Sequence, residues 1–492
     1  MALSRLQVHP KLMGPDCEIL TPPEGMDTPV AARRYHFIGA GGIGMSGLAR
    51  LLVKNCAIVS GSDMEDSAVI RHLRDIGADI HTGHSADHLP QDLEAVVISA
   101  AIKESNPELA AARKKGCTIR KYAEMLGELM DCYDGIAVCG THGKSTTSGW
   151  LAHLMTCAGA DPSYIVGADI PQLGGSSGVG DSDIFIAEAC EYDRSFLNLH
   201  PEIGVILNIE QDHLDYYRDE DEIVKAFIKF AQGIRPSGVL IVNGQDVNLE
   251  RLLDALDDDR TCLTFGLDET CDFNARNIAL VDGLYEFDVC RGQTLLGRTR
   301  ISVPGRHNIF NALAVIAASI TAGIETDKVM RFVGEFTGMD RRLMLKAQCS
   351  GIIILDDYAH HPTEIRASLE AIRSRWQPRR IWCVFQPHQY SRTRFLIDDF
   401  AESFKLADVT IVPEIYFVRD TEENKRLVNA EVLVDRVRKT GAEAIYINDF
   451  AGICEYLKAH VQSGDLVVTM GAGNVWKVAD EYIQWLGKNR KD

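Results

Sequence analysis

With 492 residues, 46% of them hydrophobic and 25% charged, the chain is too long for one ordinary core, and about two to four globular domains are expected. A formal charge of −19 argues against a general nucleic-acid or acidic-membrane surface, yet leaves room for a phosphate-bearing small molecule held by local amides and a few basic groups. The 13 cysteines are scattered singly, the longest apolar runs are strand-sized, and residues 1–5 lack the apolar core of a signal peptide. Together these features predict a cytoplasmic protein with reduced thiols, no membrane insertion and no nucleic-acid partner.

Residues 1–33 carry Pro10, Pro15, Pro22, Pro23 and Pro29 without sustained periodicity, and read as an N-terminal extension. From Tyr35 onward, short apolar runs alternate with amphipathic ones. Strands are predicted at 35–38, 57–59, 80–81 and 96–99, with helices at 46–54 and 68–76, the pattern of a doubly wound parallel sheet. A second unit opens at a strand over 136–139 and continues through strands near 184–187 and 204–208. It then makes an antiparallel excursion at 284–289 and 298–303, and closes with a helix from about 307 to 321. A third follows Asp340-Arg341-Arg342, with strands near 352–355, 381–385, 409–412, 444–447 and 466–470. The acidic run Asp257-Asp258-Asp259 reads as a solvated loop rather than a metal site. The expected layout is therefore α/β throughout: an extension over 1–33 and domains over 34–132, 133–340 and 341–492.

Two glycine turns carry the first chemistry. Gly39-Ala40-Gly41-Gly42-Ile43-Gly44 satisfies G-x-G-x-x-G between a strand and a helix, where backbone amides can approach a diphosphate at a positive helix end. Asp63, about twenty residues on, stands where a ribose-binding acid is expected; alone, this pairing predicts NAD. The second turn, Gly140-Thr141-His142-Gly143-Lys144-Ser145-Thr146, ends as a P-loop does. Lys144 can reach β/γ-phosphates and the Ser145 hydroxyl can ligate Mg²⁺, although Val138 stands where the usual first glycine would be.

A Gly-Thr-x-Gly-Lys-Ser loop following a G-x-G-x-x-G domain resembles the Mur ligases. The match continues through Glu188–Phe196 as an acidic segment, Asn208–Asp215 as N-x-x-x-D-H-x-D, Gly305-Arg306-His307-Asn308 as G-x-H-N, and Arg341-Arg342 at a domain junction. Two later segments, Asp356–Glu364 and Phe385–Arg394, are similar to those of members acting on UDP-N-acetylmuramate and L-alanine. The resemblance implies three domains: a Rossmann-like one for UDP, a P-loop ATPase-like one for ATP, and a Rossmann-like C-terminal one for the amino acid. It also implies an ATP-dependent amide ligase, active as a monomer or weak homodimer.

Carried over residue by residue, the resemblance implies UDP-sugar contacts at Gly39, Gly41, Gly42, Ile43, Gly44, Met45, Ser46, Asp63 and His142. ATP falls to Gly140, Thr141, Gly143, Lys144, Ser145, Thr146, Asn308, Arg342 and Asp357. Lys144, Glu188 and His213 are the expected catalytic groups; Ser145 and Glu188 are the expected Mg²⁺ ligands, and the resemblance assigns His213 to a second ion. Tyr358, His360, His388 and Arg392 would form the amino-acid pocket, with Arg392 suited to gripping a carboxylate bidentately. Read alone, His213 is more often a surface ion-pair residue, Asn308 equally a helix N-cap and Arg342 equally a linker charge, while His360-His361-Pro362 can also be the start of a helix. Gln389, Ala359, Cys190 and Tyr192 depart from the family's usual arginine, glycine, aspartate and serine. A ligase that attaches a whole tripeptide to UDP-N-acetylmuramate would share both nucleotide sites and differ in the last pocket. An NAD-dependent oxidoreductase or a non-catalytic ATP-binding switch would leave most of these motifs unexplained.

Overall fold

The computed structural model describes residues 32–213, 216–418 and 420–489. Nearly all of the expected extension over 1–33, and Leu214 and Asp215 of the histidine motif, lie outside the described residues.

Three sheets follow one another along the chain. The first is wholly parallel, with spatial order Asp79–Thr82, Ile58–Asp63, Arg34–Ile38, Ala95–Ile98, Ile119–Lys121. Its central strand, RYHFI, is buried along four of its five residues, and continuous apolar runs of that kind suit a strand covered on both faces. The second has ten strands: Thr294–Arg300, Leu284–Arg291, Phe273–Val281, Thr261–Gly266, Val239–Asn243, Ile203–Ile206, Asp134–Cys139, Ile184–Glu188, Ser163–Ile170, Gly175–Gly178. The third runs Met344–Cys349, Ile352–Asp357, Leu466–Met470, Ile381–Phe385, Val409–Val412, Ala444–Tyr446. It is parallel apart from its antiparallel first edge strand.

The antiparallel excursion is Leu284–Arg291 paired with Thr294–Arg300, so its second strand starts earlier than the 298–303 expected. The turn at Gly292, with φ of 56°, is tight enough for pairing to resume at Thr294. The helix His307–Thr321 packs an almost fully apolar surface against the central sheet and the P-loop helix Lys144–Cys157. Asp257, Asp258 and Asp259 are exposed, as a solvated loop should be. Among the described residues, no helix is long and apolar enough to cross a membrane.

Candidate active site

Parallel pairing explains why distant segments meet. In the central sheet, Asp134–Cys139 lies between Ile184–Glu188 and Ile203–Ile206, with Val138 beside Glu188 and Cys139 beside Ile206. All three strands therefore end on one edge. The P-loop, the acidic segment and the histidine segment emerge there side by side, at the carboxyl ends where open α/β sheets bind ligands. The third sheet repeats the arrangement: Asp357, Met470 and Phe385 are in register, so the segments containing Tyr358–Glu364 and Gln386–Arg392 leave the same edge.

At the P-loop, Gly143 is the N-cap of the following helix with φ of 84°, and a Cβ there would come within 2.8 Å of Asn311 Oδ1. A side chain is excluded both by conformation and by space. Lys144 Nζ donates to the carbonyls of Gly140 and Thr141 at 2.7 and 2.9 Å, and pairs with the buried Glu191 carboxylate at 2.9 Å. Burial works against the lysine's charge, but Glu191 outweighs it and raises the pKa well above the ordinary value. Ser145 Oγ donates to Glu188 Oε1 at 3.1 Å, and Gly167 N–H donates to Glu188 Oε2 at 2.6 Å. His213, at φ of 54°, brings Nε2 to 3.4 Å from Glu191 Oε1. The chain thus gathers a serine hydroxyl, two carboxylates, an imidazole and one ammonium along the lining of one cleft.

The opposite wall comes from the third sheet. Arg341 and Arg342 lie over the Tyr358 ring at 5.1 and 4.9 Å. The His360 ring lies 5.3 Å from that of Tyr358 and 6.1 Å from that of His388. Burial, reinforced by the neighbouring Arg392, pushes the His360 pKa down to about 3 despite the opposing Glu364, so its ring is neutral. Arg392, only 7% exposed, donates from Nε and Nη2 to Asp212 Oδ1 at 3.2 and 2.9 Å. These walls enclose a cleft of about 490 Å³ lined by Lys144, Ser145, Glu188, Glu191, His213, Tyr358, His360, His388 and Arg392, with Ile43 of the first glycine turn at its rim.

A second cavity shares Gly143, Arg342 and Glu364 with this cleft and is lined by Thr146, Asn308 and Asp357 among others. Asn308 is not a helix cap; that position is Arg306. Its side chain lies inside the first turn, donating to Pro304 O at 2.7 Å and accepting from Asn311 at 2.8 Å. Asp357 is buried, which lifts its carboxyl to about 6 against a hydrogen bond from Ser368. Arg342 Nη2 reaches to 3.5 Å of Ser145 Oγ, which makes it a side chain of the site and not a solvated linker charge.

At the first glycine turn, a Cβ on Gly44 would meet the Tyr122 ring at 2.5 Å. Asp63 Oδ2 accepts the Gly41 N–H at 2.8 Å, so this carboxylate holds the turn in shape. Met45 and Ser46 are buried, with Ser46 Oγ bonded to Ile43 O at 3.0 Å, while Ile43 is 50% exposed. His142 has other neighbours than the turn it was grouped with. Its Nδ1 is 3.2 Å from Glu364 and its Nε2 3.5 Å from Glu210, and although burial opposes the charge, the two glutamates raise its pKa to about 9.

The sequence reading assigned no role to Glu191, Asp212, Glu210 or Glu364. All four lie inside the motif segments Glu188–Phe196, Asn208–Asp215 and Asp356–Glu364, and for Glu191 and Asp212 an acidic residue close to a ligand candidate is the signal that was present; Glu191 pairs with Lys144 and Asp212 with Arg392. Their partners are 47 and 180 residues away, so no local pattern gives the pairing.

Comparison with known proteins follows the same three-part division. Family models described as Mur ligase family, catalytic domain; Mur ligase middle domain; and Mur ligase, glutamate ligase domain match residues 34–133, 138–319 and 341–473. A UDP-N-acetylmuramate–L-alanine ligase of Clostridium novyi is 41% identical over 92% of this chain and 97% of its own. The solved UDP-N-acetylmuramate-alanine ligase of Thermotoga maritima superposes with a TM-score of 0.75 at 26% identity, covering 93% of this chain and all of its own. A murein peptide ligase of Psychrobacter arcticus shares the fold, with a TM-score of 0.68, 24% identity, and coverage of 94% and 100%.

Proposed function

The chain belongs to the Mur ligase family, and from that premise we infer that it joins the lactyl carboxylate of UDP-N-acetylmuramate to L-alanine, consuming ATP, in peptidoglycan precursor synthesis. The observation that carries this reading is the single cleft in which a P-loop lysine and a hydroxyl–carboxylate pair face a pocket of neutral histidine and buried arginine. Such a cleft suits transfer of a phosphoryl group to a carboxylate and presentation of an amine to the product.

Amide formation at neutral pH requires an activated acyl group. Lys144, held charged by Glu191, shields the repulsion between the γ-phosphate and the attacking carboxylate. Ser145, Glu188 and His213 offer oxygen and imidazole donors, and the 3.1 Å Ser145–Glu188 contact fits a hard divalent cation between P-loop and acidic segment. Ser145 and Glu188 would hold Mg²⁺ there, and the ion would supply charge neutralisation on the transferred phosphoryl group. Asn308, Arg342 and Asp357 line the cavity leading from the P-loop and would receive the adenosine end of ATP. Tyr358, His360, His388 and Arg392 hold the amino acid, and the turn from Gly39 to Ser46 takes the UDP moiety, with Ile43 reaching the reaction cleft. Domain limits near 34–132, 133–340 and 341–492 go with this division of labour. The amine then attacks the acyl phosphate and inorganic phosphate leaves.

The pocket also bears on the choice between L-alanine and a tripeptide. Its walls, His360, His388 and Arg392, are packed among Asp212, Glu364 and Tyr416, which favours a small amino acid. ADP release should require UDP-N-acetylmuramate together with L-alanine, and a tripeptide in place of alanine should give little or no turnover. Preferential turnover with the tripeptide would transfer the assignment to the recycling activity.

A further inference from the structure

Beside the reaction cleft, three segments from two sheets bring a set of metal-ligating atoms together. His142 comes from the P-loop, Glu210 from the loop after Ile203–Ile206, and His361 from the N-cap of the helix Pro362–Trp376. One nitrogen or oxygen from each lies within 4.8 Å of the other two. The rings of His142 and His361 are 4.7 Å apart. Nε2 of each is buried and has no hydrogen-bond partner within the described residues. A buried ring nitrogen such as His361 Nε2 is costly unless something accepts it, and His142 Nε2 meets Glu210 only at 3.5 Å, an ion-pair contact too long for a good hydrogen bond.

We propose that His142, Glu210 and His361 form a binding site for a borderline transition-metal ion of the Zn²⁺ class, separate from the Mg²⁺ ligands of the phosphoryl-transfer site.

Three features carry this. Tetrahedral zinc, with bonds of ~2.0–2.1 Å, places its donors about 3.4 Å apart. His142 Nε2 and Glu210 Oε2 already stand 3.5 Å apart, and a ring adjustment of His361 closes the rest. The outer shell is also in place. His142 Nδ1 is 3.2 Å from the Glu364 carboxylate, the partner that fixes a metal-bound histidine with Nε2 toward the ion. Glu210 Oε2 is oriented by the Thr363 hydroxyl at 3.0 Å, and the backbone of His142 is pinned on both sides by the Asn208 side chain. Finally, two imidazoles and one carboxylate select zinc-like ions over Mg²⁺, which prefers oxygen.

Binding has two local costs: His142, which Glu210 and Glu364 keep protonated despite its burial, must release its Nε2 proton, and His361 must change tautomer. His361 Nδ1 accepts a long 3.3 Å bond from Thr363 N–H, and metal on Nε2 transfers the ring proton to Nδ1 and releases that contact. The helix keeps the second half of its capping box, Glu364 back to the His361 N–H at 3.3 Å. An ion so held ties the P-loop to the first turn of a helix in the third sheet's layer, so Zn²⁺ should slow any cycle in which those parts separate.

Co²⁺ serves as the visible probe. The full chain, with excess Mg²⁺ to fill oxygen sites, is titrated with Co²⁺ and read by visible absorption, then back-titrated with Zn²⁺. One equivalent of tetrahedral Co²⁺ is expected, displaced stoichiometrically by Zn²⁺ and without a thiolate charge-transfer band. His361→Asn preserves a good N-cap and should weaken binding at least tenfold. Glu364→Gln, which keeps an acceptor for the His361 N–H but removes the charge beside His142 Nδ1, should weaken it about 10–100-fold. Thermal melting confirms that both variants are folded. No tetrahedral Co²⁺ signal, or a signal of equal affinity in the folded His361→Asn protein, would overturn the proposal.

Discussion

Lys144→Ala is expected to lower kcat by about a hundredfold or more while leaving UDP-N-acetylmuramate binding nearly intact. No other lysine or arginine lies within the loop, the His142 imidazole being paired with Glu364 and Glu210, and removing one preorganised charge donor from a phosphoryl-transfer site typically costs about that much. The structure adds a second consequence. Lys144 is the cation that offsets Glu191, a carboxylate only 2% exposed that also faces His213. Without the lysine, Glu191 loses its strongest partner and His213 becomes its main one, so the remaining divalent-ion ligands are disturbed as well. Lys144→Arg should therefore keep the fold and the Glu191 contact better than alanine, yet recover little activity, because a planar guanidinium does not fit the ammonium's position between the Gly140 and Thr141 carbonyls. Steady-state ADP release and calorimetry with the UDP-sugar separate these effects. Near-wild-type turnover in a folded Lys144→Ala protein would remove the P-loop from the reaction.

The second large effect is expected at Arg392. Its loss should weaken L-alanine binding by roughly thirty- to a thousandfold, the equivalent of about 2–4 kcal/mol for a lost charge-assisted contact. The guanidinium is also spoken for: Nε and Nη2 both go to Asp212, and Nη1 has no hydrogen bond among the described residues. Breaking a buried pair by removing one partner costs about 3–5 kcal/mol, because the other charge is left behind. Arg392→Ala thus strikes alanine affinity and the packing of the third sheet on the central one at once. The double variant Asp212→Asn/Arg392→Ala distinguishes them. It should recover most of the lost thermal stability and none of the alanine affinity, with ATP affinity little changed throughout. Recovery of alanine affinity in the double variant would reduce Arg392 to a structural counter-ion.

How far the sequence carried this account differs between fold and site. Runs such as Ile381–Phe385, Val409–Val412 and Leu466–Met470 were legible to the residue, because buried parallel strands are short apolar blocks bounded by turns. Met344–Cys349 was not read as a strand. Its residues are only partly buried, and it pairs antiparallel at a sheet edge, where one side faces solvent. Ser163–Ile170 and Phe273–Val281 escaped for a similar reason, since their exposed halves interrupt the apolar pattern. Within the site, the P-loop was legible because its chemistry is local: strand, glycines, lysine and helix lie in consecutive residues. Asn308 was misplaced as a possible cap because the helix begins two residues after Gly305, with Arg306 at the cap. The Lys144–Glu191 pairing comes from strand order within the central sheet, and Arg392–Asp212 and His142–Glu364 from packing of the third sheet's segments against it; no spacing rule along the chain contains any of them.

One cleft phosphorylates a carboxylate and then exchanges phosphate for an amine. Its chemistry is tested most directly by following an oxygen atom. UDP-N-acetylmuramate labelled with heavy oxygen in its lactyl carboxylate is turned over with ATP and L-alanine, and the released phosphate and the amide product are weighed by mass spectrometry. One labelled oxygen is expected in each inorganic phosphate, the other retained in the new amide, with one ADP per amide. Unlabelled phosphate accompanying amide formation, or ATP cleaved to AMP, would contradict it.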